Sequence, residues 1–151
     1  MPFRFTLESV LAVRAGFERL ERNRLLLIAA ALMRIRESLE FLAKDYAAAQ
    51  AATLEKLAAG VPSGELELDR LLQQAMRDRR RSLQAREAEL LAKQKSQHRI
   101  YLAAKTRREI LDELRSRRLT QYRASELRRE QQRLDELFLL RRIALSADSD
   151  E

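Results

Sequence analysis

A turn between two long segments is the feature that most constrains how this chain can fold, and the sequence offers one at "AAGVPSGE", positions 58–65. Gly60 can adopt the left-handed conformation that ends a helix, and Pro62 cannot continue one. Ser63 can then cap a second helix, with Glu65 near its positive end. We predict one coiled-coil hairpin over 1–151, with helix 1 over about 7–59, a turn at 60–64, helix 2 over about 65–145 and an acidic tail at 146–151.

The composition favours helices over sheets. Charged residues make up 35% of the chain, with only three glycines, two prolines and no cysteine. Ala, Leu, Arg, Glu and Gln dominate while β-branched residues are scarce, which is typical of long helices and coiled coils. The lack of cysteine excludes a disulfide framework and a thiolate metal site. The predicted fold class is therefore all-α.

The longest apolar run, "LLLIAAALM" at 25–33, is too short to cross a membrane. It has nine residues, and a transmembrane helix needs roughly 20. Acidic residues such as Glu8 and Glu18 precede it, whereas a signal peptide begins with a basic segment. We expect a cytoplasmic chain that no such signal exports.

Apolar residues repeat in heptads along most of helix 1, which predicts a coiled-coil seam. Nearer the start, an apolar stripe runs beside charged residues at the heptad positions, so a change of register is predicted there. The heptad positions are Leu25, Ile28, Leu32, Ile35, Leu39, Leu42, Tyr46 and Ala49; the stripe is Val10, Val13, Phe17 and Leu20, beside Arg14, Glu18 and Glu21.

Folding helix 2 back antiparallel gives a long two-helix coiled-coil hairpin with a longer second helix. If facing positions sum to roughly 125, Leu42 lies opposite Leu83 and Ile35 opposite Leu90, and each pair is apolar. Because helix 1 begins at about residue 7, this pairing ends near residue 118. The apolar side chains of 119–145 then have no partner in the hairpin, so we predict that they bind another protein.

Three segments carry a resemblance to a known family: "FRFTLESVLAVRAGFERLER" at the start, "LDRLLQQA" after the turn and "RREQQRLDELFLLRR" near the end. Their Phe-x-Phe-x-Leu and Glu-x-x-x-Leu-Asp-Glu-Leu patterns resemble the FliJ family, the soluble stalk protein of the bacterial flagellar type III export apparatus. The resemblance implies a stalk that binds the hexameric export ATPase, promotes its assembly and activity, and links it to the transmembrane export gate and to export chaperones.

The resemblance also implies locations and site residues. It places the protein in the cytoplasm, peripherally associated with the membrane at the flagellar basal body. The hairpin's open end is the part that the ATPase receives, and the residues predicted for this contact are Phe17, Leu134, Leu137, Phe138, Arg141 and Arg142. The matching gate-binding positions are Leu42, Tyr46, Leu68, Leu72, Ala75 and Arg79, although Leu42, Tyr46 and Leu72 also fit as seam residues.

Two other functions share parts of this pattern. The stalk of a virulence type III secretion system has the same architecture. A basic coiled-coil scaffold could bind nucleic acid, since the net charge is +7 and "RDRRR" stands at 77–81. A solvated helix face explains the same arginines, because acidic residues stand at helical spacing from many cations.

The sequence contains no pattern typical of a catalytic site. His98 is the only histidine and has no carboxylate at metal-site spacing. There is also no Gly-rich phosphate loop and no nucleophile beside a base. We predict a protein that is not an enzyme and takes no metal, cofactor or small-molecule substrate.

Overall fold

The computed structural model describes residues 2–147 and contains two helices. They are α1, Glu8–Ala59, and α2, Ser63–Ala147. The predicted all-α hairpin with a longer second helix is confirmed, and no strand occurs among the described residues. Of the predicted acidic tail, Ser146 and Ala147 belong to α2, and 148–151 lie outside the described residues.

A Schellman motif ends α1. Gly60 has φ 71°, its N–H donates to the Leu57 carbonyl at 3.3 Å, and the Val61 N–H donates to the Lys56 carbonyl at 3.2 Å. These two bonds satisfy carbonyl groups that the last turn of a helix leaves unpaired. Pro62 follows, and α2 begins at the next residue. The local sequence therefore sets the reversal of the chain.

We expect Gly60→Ala to lower the free energy of unfolding by about 1–2 kcal/mol, because a side chain strains the left-handed conformation. The matched control is Gly16→Ala, inside α1, where an added methyl group also meets no atom within 4 Å. It should raise stability by about 0.5–1 kcal/mol. Urea unfolding followed by circular dichroism measures both variants. Equal effects would contradict the role assigned to the Gly60 conformation.

The chain divides into two compact units. The hairpin unit comprises residues 17–104 and therefore contains most of α1, the turn and the first half of α2. Its helices pack antiparallel: Arg36 Nε donates to Glu87 at 2.8 Å, and Arg77 donates to the Tyr46 hydroxyl at 3.4 Å. These pairs agree with the register predicted from the sequence.

The terminal unit comprises residues 2–16 and 105–147. Its N-terminal segment runs antiparallel to α2, since Arg115 pairs with Glu8 at 3.1 Å and Arg118 donates to the Thr6 hydroxyl at 3.1 Å. The Phe3 ring lies 5.6 Å from the Tyr122 ring, measured between centroids. Because Thr6 and Phe3 precede α1, the segment that contacts α2 begins before the first residue of that helix.

The predicted change of register in α1 is wrong. Glu18 and Glu21 are buried, at 6% and 9% exposed, whereas the stripe from Val10 to Leu20 is exposed. The heptad face therefore continues through the charged positions, and it includes half-buried Arg14. Polar partners make this possible, because the Gln97 side chain donates to the Glu21 carboxylate and, at 3.2 Å, to its carbonyl.

Candidate interaction surfaces

The last part of α2 is uncovered. Every residue from 127 to 145 is exposed, and Phe138 keeps 67% of its surface accessible. Isolated exposed apolar residues are ordinary, but a continuous group marks an interaction site. We call this group the C-terminal surface; its apolar members are Leu127, Leu134, Leu137, Phe138, Leu139, Leu140, Ile143 and Leu145.

The C-terminal surface begins later than predicted. Leu119 and Tyr122 were expected to be without partners, but both are half-buried. The reason is that residues before α1 extend the contact, with Phe3 against Tyr122 and the Arg118 guanidinium 5.9 Å from the centre of the Phe5 ring. The sequence signal for this extension is the Phe-x-Phe start.

Five of the six residues predicted for ATPase binding belong to the C-terminal surface or stand within it. Leu134, Leu137 and Phe138 are apolar members, and Arg141 and Arg142 are exposed beside them. Phe17 is also exposed but belongs to the hairpin unit, so the structure does not group it with the others.

The residues predicted for gate binding lie in the hairpin unit, on two faces. Leu42 and Tyr46 are half-buried in the seam and, with Met76, line a cleft of about 160 Å³. A second set is exposed on α2 at steps of four, three and four residues, which places it on one helix face. This set, called the α2 outer face, consists of Leu68, Leu72, Ala75 and Arg79.

The structure decides between the two roles that the sequence allowed for Leu72, and it identifies one further exposed residue, Phe41. Leu72 is exposed, so its interpretation as a seam residue is wrong. Leu42 also lines a shallow groove of about 670 Å³ together with Arg79 and Phe41. Phe41 is largely exposed and was missed. Its position two residues after Leu39, off the heptad ladder, is the signal that could have identified it.

The charged surface is largely paired within each helix. Lys44 with Glu40 and Arg117 with Glu113 are examples at spacing four, and Arg81 lies 4.0 Å from Asp78 within the basic run. Exposed pairs of this kind add little stability. They nevertheless offset some positive charges locally, including Arg81 in the basic run that suggested nucleic acid.

One ion pair near the turn shifts the pKa values of both partners. Hydrogen bonds from Arg70 lower the pKa of Glu67, partly opposed by desolvation, and its positive charge adds to the lowering. The same hydrogen bonds raise the pKa of Arg70. Since the pair is mostly exposed, it serves as a local helix contact beside Leu68 and not as a reactive centre.

Neither a metal site nor a membrane span is present in the part of the chain that the structure describes. No three His, Asp or Glu side chains there are grouped so that they could hold an ion. Neither helix combines the length and apolar character that crossing a bilayer requires. The candidate sites described above are surfaces of exposed apolar and cationic side chains.

Comparison with known proteins identifies a family for the chain. The family described as Flagellar FliJ protein matches residues 3–146. No curated protein and no solved structure matches the chain significantly. The family match spans both helices, the turn and the C-terminal surface. The chain therefore belongs to the FliJ family of flagellar export proteins.

Proposed function

We propose that this chain is the stalk that binds the hexameric flagellar export ATPase, promotes its assembly and stimulates its activity. Membership of the FliJ family establishes a role in flagellar export. The observation that carries the finer proposal is the C-terminal surface, a helical segment whose apolar side chains are exposed from Leu127 to Leu145.

The distribution of apolar side chains around this segment favours an enclosing partner. At 100° per residue, Leu134 and Phe138 lie on one side of the helix, whereas Leu139 and Leu140 lie on other sides. A helix that is apolar around its circumference is stable in water only when several surfaces cover it. The socket at the centre of a protein ring supplies such surfaces.

The arginines of the C-terminal surface add an electrostatic component. Arg141 and Arg142 are exposed beside the apolar side chains, and they suit an acidic rim on the ring. Salt screens contacts of this kind, so the association should weaken as the ionic strength rises.

The mechanism we propose is mechanical and allosteric. An asymmetric pair of helices in a symmetric ring contacts each ATPase subunit differently, and so favours different nucleotide states in different subunits. ATP hydrolysis belongs to the ring, and this chain supplies no catalytic group. The family match favours the flagellar ATPase over its counterpart in virulence secretion.

We place the contact with the transmembrane export gate on the α2 outer face, together with Leu42 and Tyr46. The support is the exposure of Leu68 and Leu72 and the groove that joins Leu42 to Arg79. This assignment leaves the C-terminal surface to the ATPase. It also implies a cytoplasmic protein held at the basal body membrane by its partners, where it escorts export chaperones.

The test is ATP turnover by the cognate export ATPase, at a concentration where the ATPase is mostly monomeric. The full chain should stimulate turnover. The double variant Leu137→Ser/Phe138→Ser and a chain cut after Thr120 should lose most of this stimulation, because the docking surface is removed. Far-UV circular dichroism should remain nearly unchanged for the double variant, since both side chains are exposed.

The matched control is Leu54→Ser/Leu57→Ser, which changes two exposed apolar residues of α1 in the hairpin unit. It should stimulate turnover as the unmodified chain does. If the full chain has no effect, the ATPase ring is not its partner. A large loss of helicity in the Leu137 and Phe138 variant would make these residues structural.

A further inference from the structure

The first helix carries an exposed row of residues on the side away from α2. Its members recur at steps of three and four, which keeps them within one narrow face of α1. Seam residues such as Leu25 and Leu32 point in a different direction. We call this row the outer stripe; it consists of Arg19, Arg22, Leu26, Ala30, Met33, Glu37 and Glu40, all exposed.

The centre of the outer stripe is apolar. Leu26 and Met33 are 60% and 62% exposed on either side of Ala30. They belong to the run 25–33, which contains no polar residue. Packing against α2 covers only the opposite side of this run. An apolar surface therefore remains between two charged ends, as expected of a contact with another helix.

The two ends of the outer stripe have opposite charge. Arg19 and Arg22 precede the apolar centre, and Glu37 and Glu40 follow it. Inverting the stripe about the midpoint between Ala29 and Ala30 places Arg22 opposite Glu37 and Arg19 opposite Glu40. The same inversion places Leu26 opposite Met33, and the small alanines at the midpoint permit close approach. The stripe is thus complementary to an antiparallel copy of itself.

We propose that the outer stripe binds the outer stripe of a second copy of this chain in an antiparallel, two-fold symmetric pair. Symmetric pairs require a surface that complements itself. A partner helix of one charge would be repelled by one end of the stripe, and a parallel copy would place like charges opposite each other. Charge complementarity therefore selects an antiparallel second copy.

Neighbouring ion pairs do not prevent this association. Arg22 lies 4.0 Å from Glu18, and Lys44 pairs with Glu40 at 3.0 Å. The Arg22, Glu40 and Lys44 side chains are mostly exposed, so these contacts are weak and can be shared or exchanged. The residues involved differ from those proposed for ATPase binding, and the inference does not depend on that function.

The test is the molar mass of the full chain, measured by light scattering after size-exclusion chromatography over a series of concentrations. The unmodified chain should reach twice the mass of one chain. Arg19→Glu/Arg22→Glu should give one chain's mass, because all four charges are then acidic. Glu37→Arg/Glu40→Arg should do the same, because all four are then basic. An equimolar mixture of these two variants should regain the doubled mass.

The fourfold variant that combines both charge reversals should also regain the doubled mass, since opposite charges again face each other. Leu26→Asp should remain at one chain's mass, and Leu54→Asp, at an exposed site outside the outer stripe, should not. Circular dichroism confirms that each variant is helical. A single-chain mass for the unmodified protein, or no recovery in the mixture and the fourfold variant, would overturn the proposal.

Discussion

Leu32→Ala is expected to lower the free energy of unfolding by about 2–4 kcal/mol, since it removes a large buried side chain and leaves a cavity. Leu32 is 3% exposed in the seam of the hairpin unit, in a row with Ile35, which is also buried. Few of the side chains that the structure describes are buried so deeply, because two helices cover each other on one face only. Each buried leucine therefore carries an unusually large share of the stability.

The control for this prediction is Leu54→Ala, on the same helix and in the same unit. Leu54 is 67% exposed, so its truncation should change stability by less than about 0.5 kcal/mol. Urea unfolding followed at a far-UV wavelength gives the midpoint and slope for both variants. Similar losses for Leu32→Ala and Leu54→Ala would show that the seam does not stabilise the hairpin unit.

The hairpin could be predicted because its signals are local or strictly periodic. Gly60 and Pro62 define a helix end through backbone conformation alone. The ladder from Leu25 to Ala49 repeats at the coiled-coil period, and a helix must then turn that face to its partner. Such rules act over a few residues or along one helix, and so they are readable without knowledge of tertiary contacts.

The start of α1 was harder to predict because two patterns compete there. The apolar stripe that includes Val13 and Phe17 suggests one buried face, and the heptad positions suggest another. The heptad face is buried although it holds Glu18 and Glu21. Whether a carboxylate can be buried depends on donors such as Gln97, which is 76 residues away from Glu21 in sequence. No local pattern reports such a partner.

The candidate sites could be predicted from the sequence as exposed surfaces, but the partners that contact them could not. The register located the C-terminal surface, because α2 continues beyond the residues that pair with α1, and residues 127–145 are exposed. Its start moved from residue 119 to 127 because Phe3 and Phe5 lengthen the covered part. The sequence of one chain does not identify the partner, since exposed leucines can bind many different proteins. Family membership relates the chain to the flagellar export machinery in general.

Gln97→Leu and the double variant Glu21→Leu/Gln97→Leu should change stability in opposite directions. Gln97 donates to the buried Glu21 carboxylate, so removing only the donor should cost about 1–3 kcal/mol. Arg24, paired with Glu21 at 2.9 Å, is mostly exposed and compensates only in part. Replacing both polar groups by leucine should instead raise stability by about 1–4 kcal/mol above that of the unmodified chain, as for other buried polar pairs.

The stability of the double variant distinguishes two roles for the Glu21 and Gln97 pair in the seam. If Glu21 and Gln97 mainly stabilise the hairpin unit, the double variant should be less stable than the unmodified chain. If they instead oppose alternative pairings, the double variant gains stability but permits other registers, because leucines pack against one another at many offsets. Thermal unfolding gives the order of stability, and spin labels on cysteines introduced at Arg36→Cys and Glu87→Cys should give a broader distribution of distances in the double variant. An unchanged distribution of distances with higher stability would leave the polar pair without a role in register.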